Sequence, residues 1–289
     1  MAKVTAAMVK QLRDMTDSPM MECKKALVEA DGDIEKAVDV LRTMGLAKAV
    51  KRAGRDTNEG TIAAYVSEDG KTGALLELTC ETDFVGTNPK FTGFAMELAK
   101  AVAENDPADE AALKACAMGE GTVESELTEM IHVIGENMKV ARFQRVAVES
   151  GALAAYVHHN GKLADIVTFD FANEGTKDNA DFTGFAHDVA MQVAAAAPVA
   201  AKREDVPADV IEHEKSIYMA QAAESGKPEA IQERMATGKL EKFFKENVLT
   251  EQESIKESGS TINELAAKVS KAAGDDVKVV SFVRYSFGE

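Results

Sequence analysis

The sequence contains no tryptophan and only three cysteines. Cys23, Cys80 and Cys116 are odd in number and widely spaced, which argues against a disulfide framework and for a reducing compartment. No apolar run approaches the ~20 residues that span a bilayer. The start, Met1-Ala2-Lys3-Val4-Thr5, lacks the charged-then-apolar layout of a secretory signal. A cytoplasmic chain with no membrane partner is therefore expected. Basic charge is also scarce, with 33 Lys and Arg against 49 Asp and Glu, a net charge of −16. A body this acidic repels phosphate backbones, so nucleic acid is not expected as a direct partner. A protein with a basic surface remains open as one. The deficit is uneven: residues 1–55 carry eleven Lys and Arg and eight Asp and Glu, about +3, which leaves the remainder near −19.

What is present is a 289-residue chain, 45% hydrophobic and 28% charged, the composition of a soluble globular protein of about two domains. Residues 4–44 read as three short helices. Thr5 is placed to cap the first, whose apolar positions Val4, Met8, Leu12 and Met15 recur at helical spacing. Ser18-Pro19 suits an N-cap followed by Pro at the first helical position, opening a second helix from Met20 to Glu29. Asp33 caps a third, with Ile34, Val38 and Leu41 on one face. Three helices in about forty residues make a bundle near the lower size limit for independent folding. Lys48 to Gly60, basic and polar with two glycines, reads as a linker.

Beyond it lies an internal repeat. Ala63-Ala64-Tyr65-Val66 recurs as Ala154-Ala155-Tyr156-Val157, and Gly70-Lys71 as Gly161-Lys162. Phe91-Thr92-Gly93-Phe94-Ala95 recurs as Phe182-Thr183-Gly184-Phe185-Ala186. The offset is 91 residues throughout, and about a third of positions 60–107 match those of 151–198. Each copy reads as strand, turn, strand, loop, helix. Asp69-Gly70 is a hairpin-turn signal, and Asn88-Pro89 opens a helix carrying Phe91, Phe94, Leu98 and Val102. A ββα unit leaves one sheet face open, so two copies, or one copy on the other's helices, are needed to bury it.

Between the copies the pattern predicts a helix over 124–136 and a strand over 140–148. After the second copy, residues 207–225 and 228–247 read as two long helices joined at Ser225-Gly226-Lys227-Pro228. Gly past one helix end and Pro at the next start mark a helix hairpin. Its sparse apolar stripe suits helices that pack mainly on each other and project from the body. A helix over 261–272 and a strand over 277–287 close the chain.

Enzyme motifs come close and fail. Gly70-Lys71-Thr72 ends like a phosphate-binding loop, but the glycine required earlier is Tyr65. His213-Glu214 begins like a zinc-protease helix, but the second histidine position is Ile217. The cysteines lack metal-ligand spacing, and no nucleophile–base constellation is legible. No catalytic residue, metal ligand or cofactor is expected.

Three motifs carry a family resemblance. Met20-Met21-Glu22-Cys23-Lys24-Lys25-Ala26-Leu27, followed by Gly32-Asp33-Ile34-Glu35, resembles the N-terminal signature of bacterial elongation factor Ts. Thr82-Asp83-Phe84-Val85 resembles that family's second signature, and Ile134-Gly135-Glu136-Asn137 a third. The likeness covers essentially the whole chain. It implies an α+β protein with an N-terminal ubiquitin-associated-like three-helix bundle with its linker (residues 1–54). A duplicated ββα core follows (55–150 and 151–289), with antiparallel sheet and a protruding helical hairpin at about 206–248. It implies a guanine-nucleotide exchange factor acting on the GTPase elongation factor Tu, in its GDP-bound and nucleotide-free states. The implied intruding loop, which disturbs the Mg²⁺ and phosphate site, is Thr82, Asp83, Phe84 and Val85. Arg13, Met20 and Met21 are implied docking residues, and the turn His158–Gly161 a further contact. The sequence ends at Gly288-Glu289, where many members continue into a helical tail, so a contact made by that tail is expected to be absent.

Each residue also has a plainer reading. Phe84 after a strand would ordinarily be core, but under the 91-residue offset it faces Gly175, so the fold does not demand an aromatic there. A local shift would instead set Phe171 opposite it. Asp83 also reads as a turn residue, and Arg13 as a solvated charge. Met20 and Met21 point about 100° apart on a helix, so at least one should be exposed, and exposed Met suits an adaptable contact. The competing functional reading is an adaptor that binds without exchanging nucleotide; an enzyme is disfavoured by the failed motifs. Homodimer and heterotetramer with the GTPase both stay open.

Overall fold

The computed structural model describes residues 4–289, and the chain is an α+β protein of helices and antiparallel sheet. It divides into two compact units: the chain up to Ala63 with Leu76–Phe143, and Ala64–Leu75 with Gln144–Glu289.

The first unit opens with α1 (Ala6–Thr16), α2 (Met20–Glu29) and α3 (Ile34–Arg52). Thr5 accepts from the Met8 amide and Asp33 from the Lys36 amide, the two caps that the sequence suggests. Ser18 is not a cap. Its side chain is buried and turned back toward the Thr16 carbonyl, and Pro19 is the residue that leads into α2. Leu12, Cys23, Ala26, Leu27, Ala37 and Leu41 fill the space between the helices. Helix α3 also runs further than expected. Lys48 to Arg52, read as linker, is its last turn: basic side chains suit a helix C-terminus, Lys48 pairs with Glu22, and Arg52 donates to the Ile131 carbonyl at 3.1 Å.

Strands β1 (Glu59–Val66) and β2 (Thr72–Cys80) form the first hairpin, followed by the single turn α4 (Asp83–Gly86) and α5 (Pro89–Asn105). Helix α6 (Glu110–Ala115) and the two-residue strands β3 (Ala117–Met118) and β4 (Gly121–Thr122) are absent from the sequence reading; each is too short to show a period. Then come α7 (Val123–Ile134) and β5 (Met138–Ala147), which completes a sheet of order β1-β2-β5. The division between the units cuts through all three of these strands.

The second unit holds β6 (Ala152–Val157), β7 (Leu163–Asp170), α8 (Ala180–Ala196), α9 (Ala208–Ala223), α10 (Glu229–Asn247), α11 (Ile262–Ala273) and β8 (Lys278–Ser286). Its sheet has the order β6-β7-β8, antiparallel throughout, with a bulge at Thr168/Phe169. Val167, Phe169 and Phe171 pack with Phe182, Phe185, Val189 and Ile262 from the helices. Helices α9 and α10 pair as the expected hairpin. Arg203 grips its base, bidentate to Glu241 and Glu251 and over the Phe244 ring at 4.3 Å.

Candidate functional site

Strand β2 is buried almost throughout. The chain leaves it through Glu81 and makes one helical turn at Asp83–Gly86. Thr82 is the N-cap, its hydroxyl accepting from the Val85 amide at 3.5 Å. The Asp83 carboxylate accepts from the Phe84 amide at 2.9 Å, so the turn-residue reading of Asp83 describes its local bonding. Val85 and Gly86 point inward and are buried. Phe84 points outward with 83% of its surface exposed, the highest value among the exposed large apolar side chains described. The four residues thus split into roles. Val85 is an anchor, Thr82 a cap, and Asp83 and Phe84 the presented tip.

The alternative pairing of Phe84 with Phe171 is not what the structure contains. Phe171 is buried against Phe182, ring centroids 5.0 Å apart, and the residue 91 positions before it is Cys80, also buried. The residue 91 positions after Phe84 is Gly175, in a short 3₁₀ turn, Glu174–Asp178.

Met20 and Met21 begin α2 and are 51% and 64% exposed, so both methionines reach solvent. Arg13 lies exposed in the last turn of α1. Between Arg13 and Met20 the chain turns at Asp17, in the left-handed conformation at φ 51°. Asp17 pairs with Lys90 of α5 at 2.9 Å, and the hydrogen bond from Lys90 holds its carboxyl below the usual range. Both partners are largely exposed, so this pair is worth under about 1 kcal/mol. It does join the α1–α2 turn to the helix that begins just after Phe84.

A feature missed in the sequence braces the presented turn. The Glu136 carboxylate, from the segment between α7 and β5, accepts the Glu81 amide at 3.1 Å, the Thr82 amide at 3.0 Å and the Thr82 hydroxyl at 2.7 Å. In return Glu81 accepts the Asn137 amide at 2.6 Å and pairs with Arg55 at 3.3 Å. Glu136 and Asn137 belong to the third motif, whose place beside the second is visible only once the chain is folded. Among the described residues no group of three or more His, Cys, Asp or Glu is arranged to hold a metal ion, and no helix is long and apolar enough to cross a membrane.

The family model for Elongation factor TS matches residues 81–289, a stretch that includes the presented turn. The chain is thus a factor of the elongation stage of protein synthesis. Among curated proteins, the elongation factor Ts of Desulfovibrio desulfuricans is 44% identical over 286 residues, 98% of both chains. That of Nautilia profundicola is 44% identical over 291 residues, 100% of this chain and 94% of its own. That of Clostridium perfringens is 44% identical over 287 residues, 99% and 93%. The chain belongs to the elongation factor Ts family.

Proposed function

We propose that this chain is a guanine-nucleotide exchange factor that speeds GDP release from elongation factor Tu. The bundle docks through Arg13, Met20 and Met21, and the Asp83–Phe84 tip enters beside the Mg²⁺ and phosphate site. The observation that carries the reading is the Phe84 ring, held out in solvent on a turn that is anchored below it. Burying a Phe side chain is worth about 1.5–3 kcal/mol. A turn that keeps one exposed reserves that gain for a partner.

The mechanism is linkage. A factor that weakens GDP binding by some ratio has its own binding weakened by GDP in the same ratio. A wedge accommodated by the empty GTPase and strained against the occupied one meets that condition. Displaced metal coordination leaves phosphate charge less compensated, and GDP departs faster. No covalent bond is made or broken; the factor supplies only differential binding. The docked bundle raises the local concentration of the tip.

The chain that carries out this exchange is organised, in this proposal, as a ubiquitin-associated-like bundle with its linker (1–54) and a duplicated core (55–150 and 151–289) bearing the hairpin. Support for duplication extends beyond the 91-residue repeat. Thr122, Gly135, Lys139, Val140, Phe143 and Arg145 recur 139 residues later as Thr261, Gly274, Lys278, Val279, Phe282 and Arg284. Both threonines form capping boxes, at α7 and α11, and both glycines end those helices in the left-handed conformation. Gly60 and Gly151 match as well: a Cβ on either would strike a neighbouring carbonyl, of Leu78 or Phe169.

The test of exchange against plain adaptor binding is the affinity of the chain for elongation factor Tu with and without GDP. Weaker binding to the GDP-loaded GTPase is expected. Equal affinities would move the reading to the adaptor.

A further inference from the structure

We propose that Glu136 is a positioning residue for the Phe84 turn, its carboxylate fixing the direction in which the ring leaves the surface. The inference rests on the reading of Phe84 as the exchange wedge. A single helical turn does not hold itself, because nucleation fixes several dihedrals for one hydrogen bond. The launch of α4 must be held from outside, and Glu136 is what holds it. Its Oε2 accepts two consecutive backbone amides, Glu81 and Thr82, and its Oε1 accepts the Thr82 hydroxyl. Bonds to an ionised acceptor are about twice as strong as neutral ones. The far end of the turn is seated by buried Val85. With both ends fixed, Phe84 departs along one line.

Glu136 is itself held in place. Its neighbour Asn137 donates its amide to Glu81 at 2.6 Å, and its side chain donates to the Arg55 carbonyl at 2.8 Å. Three segments separated in sequence, at residues 55, 81–82 and 136–137, are therefore pinned to one another.

The second unit carries the same device without the aromatic. Asp275 accepts the Ala172 amide at 3.2 Å, the Asn173 amide at 2.8 Å and the Thr176 hydroxyl at 2.8 Å. These bonds hold its carboxyl below the usual range. The tip there is Glu174-Gly175. The brace is thus a recurring element of the fold, and in the first unit it is loaded with a contact residue. Asp275 supplies the control that separates lost positioning from general damage.

The chain has no tryptophan, so Phe84→Trp introduces a unique fluorophore at the tip. Time-resolved anisotropy of that indole is measured alone and with Glu136→Ala, Glu136→Gln or Asp275→Ala. Stopped-flow release of fluorescent GDP from elongation factor Tu is measured for the same three substitutions with Phe84 intact. Glu136→Ala is expected to mobilise the indole and to lower the saturated release rate about tenfold, the scale of one charge-assisted hydrogen bond. The half-saturating concentration should move less than twofold. Glu136→Gln, which keeps an acceptor for the two amides, should recover most of both, and Asp275→Ala should change neither. An indole equally immobile with Glu136→Ala overturns the proposal. So does a mobilised indole with an unchanged saturated rate, or an equal loss from Asp275→Ala. If the unsubstituted chain itself fails to accelerate release, the exchange reading falls, and the anisotropy still decides whether Glu136 fixes the ring.

Discussion

At the scale of single residues, side chains placed against their ordinary preference are the informative ones. Phe84 is an aromatic left in water, and Asp165 is a carboxyl taken out of it. Asp165 lies on the central strand β7, fully buried, directly across from Arg284 on β8, and its oxygens have no hydrogen-bond partner. Burial pushes its pKa up to about 8, against a smaller lowering by Arg284. The folded-state pKa is thus above the unfolded one, so the contribution to stability is complete below about pH 4 and is lost as pH rises toward 8. From this one group the slope is at most about 1.4 kcal/mol per pH unit. Urea unfolding from pH 5 to 8 should show the wild type losing ground relative to Asp165→Asn; parallel profiles would contradict the assignment. Residue chemistry of this kind was only partly legible. That at least one of Met20 and Met21 is exposed follows from helical geometry in a small bundle; the structure exposes both. The burial of Asp165 does not follow in this way, because a carboxylate in a strand reads as a solvent-facing position and the strand that pairs across from it, at Arg284, is remote in sequence.

At the scale of elements, long periodic segments were the readable ones. Helices α9, α10 and α11 fall within two residues of their expected bounds, since a proline opens each of the first two and a capping box opens the third. Helix α3 outran its expected end because Lys48 and Arg52 find partners on Glu22 and the Ile131 carbonyl, contacts that no local pattern reveals. The bracing of α4 was hidden for the same reason: Glu136 lies more than fifty residues from the backbone it holds. The bundle's proposed role gives an element-level prediction. Met20→Ser with Met21→Ser removes apolar contact from an exposed helix start and leaves the bundle core intact. It should raise the concentration of factor needed for half-maximal GDP release several-fold and leave the saturated rate nearly unchanged. A collapse of the saturated rate would show that the bundle does more than anchor.

At the scale of the whole molecule, the proposed duplication makes two similar frames of which one bears an exposed aromatic. Placing Thr-Asp-Phe-Val at residues 173–176 of a Phe84→Ala protein should not restore exchange if only the first frame faces the nucleotide site; recovered GDP release would contradict that. Half of this architecture was in plain view as the 91-residue offset. The other half, the 139-residue offset linking α7 and β5 to α11 and β8, is present only as scattered identities, too sparse to read without the matching helix caps and closing strands of the structure. The proposed exchange mechanism turns on one ring. Stopped-flow release of fluorescent GDP from elongation factor Tu, at saturating factor, should be accelerated by the wild-type chain and much less by Phe84→Ala, with association largely retained. Equal acceleration by the two proteins would remove Phe84 from the mechanism.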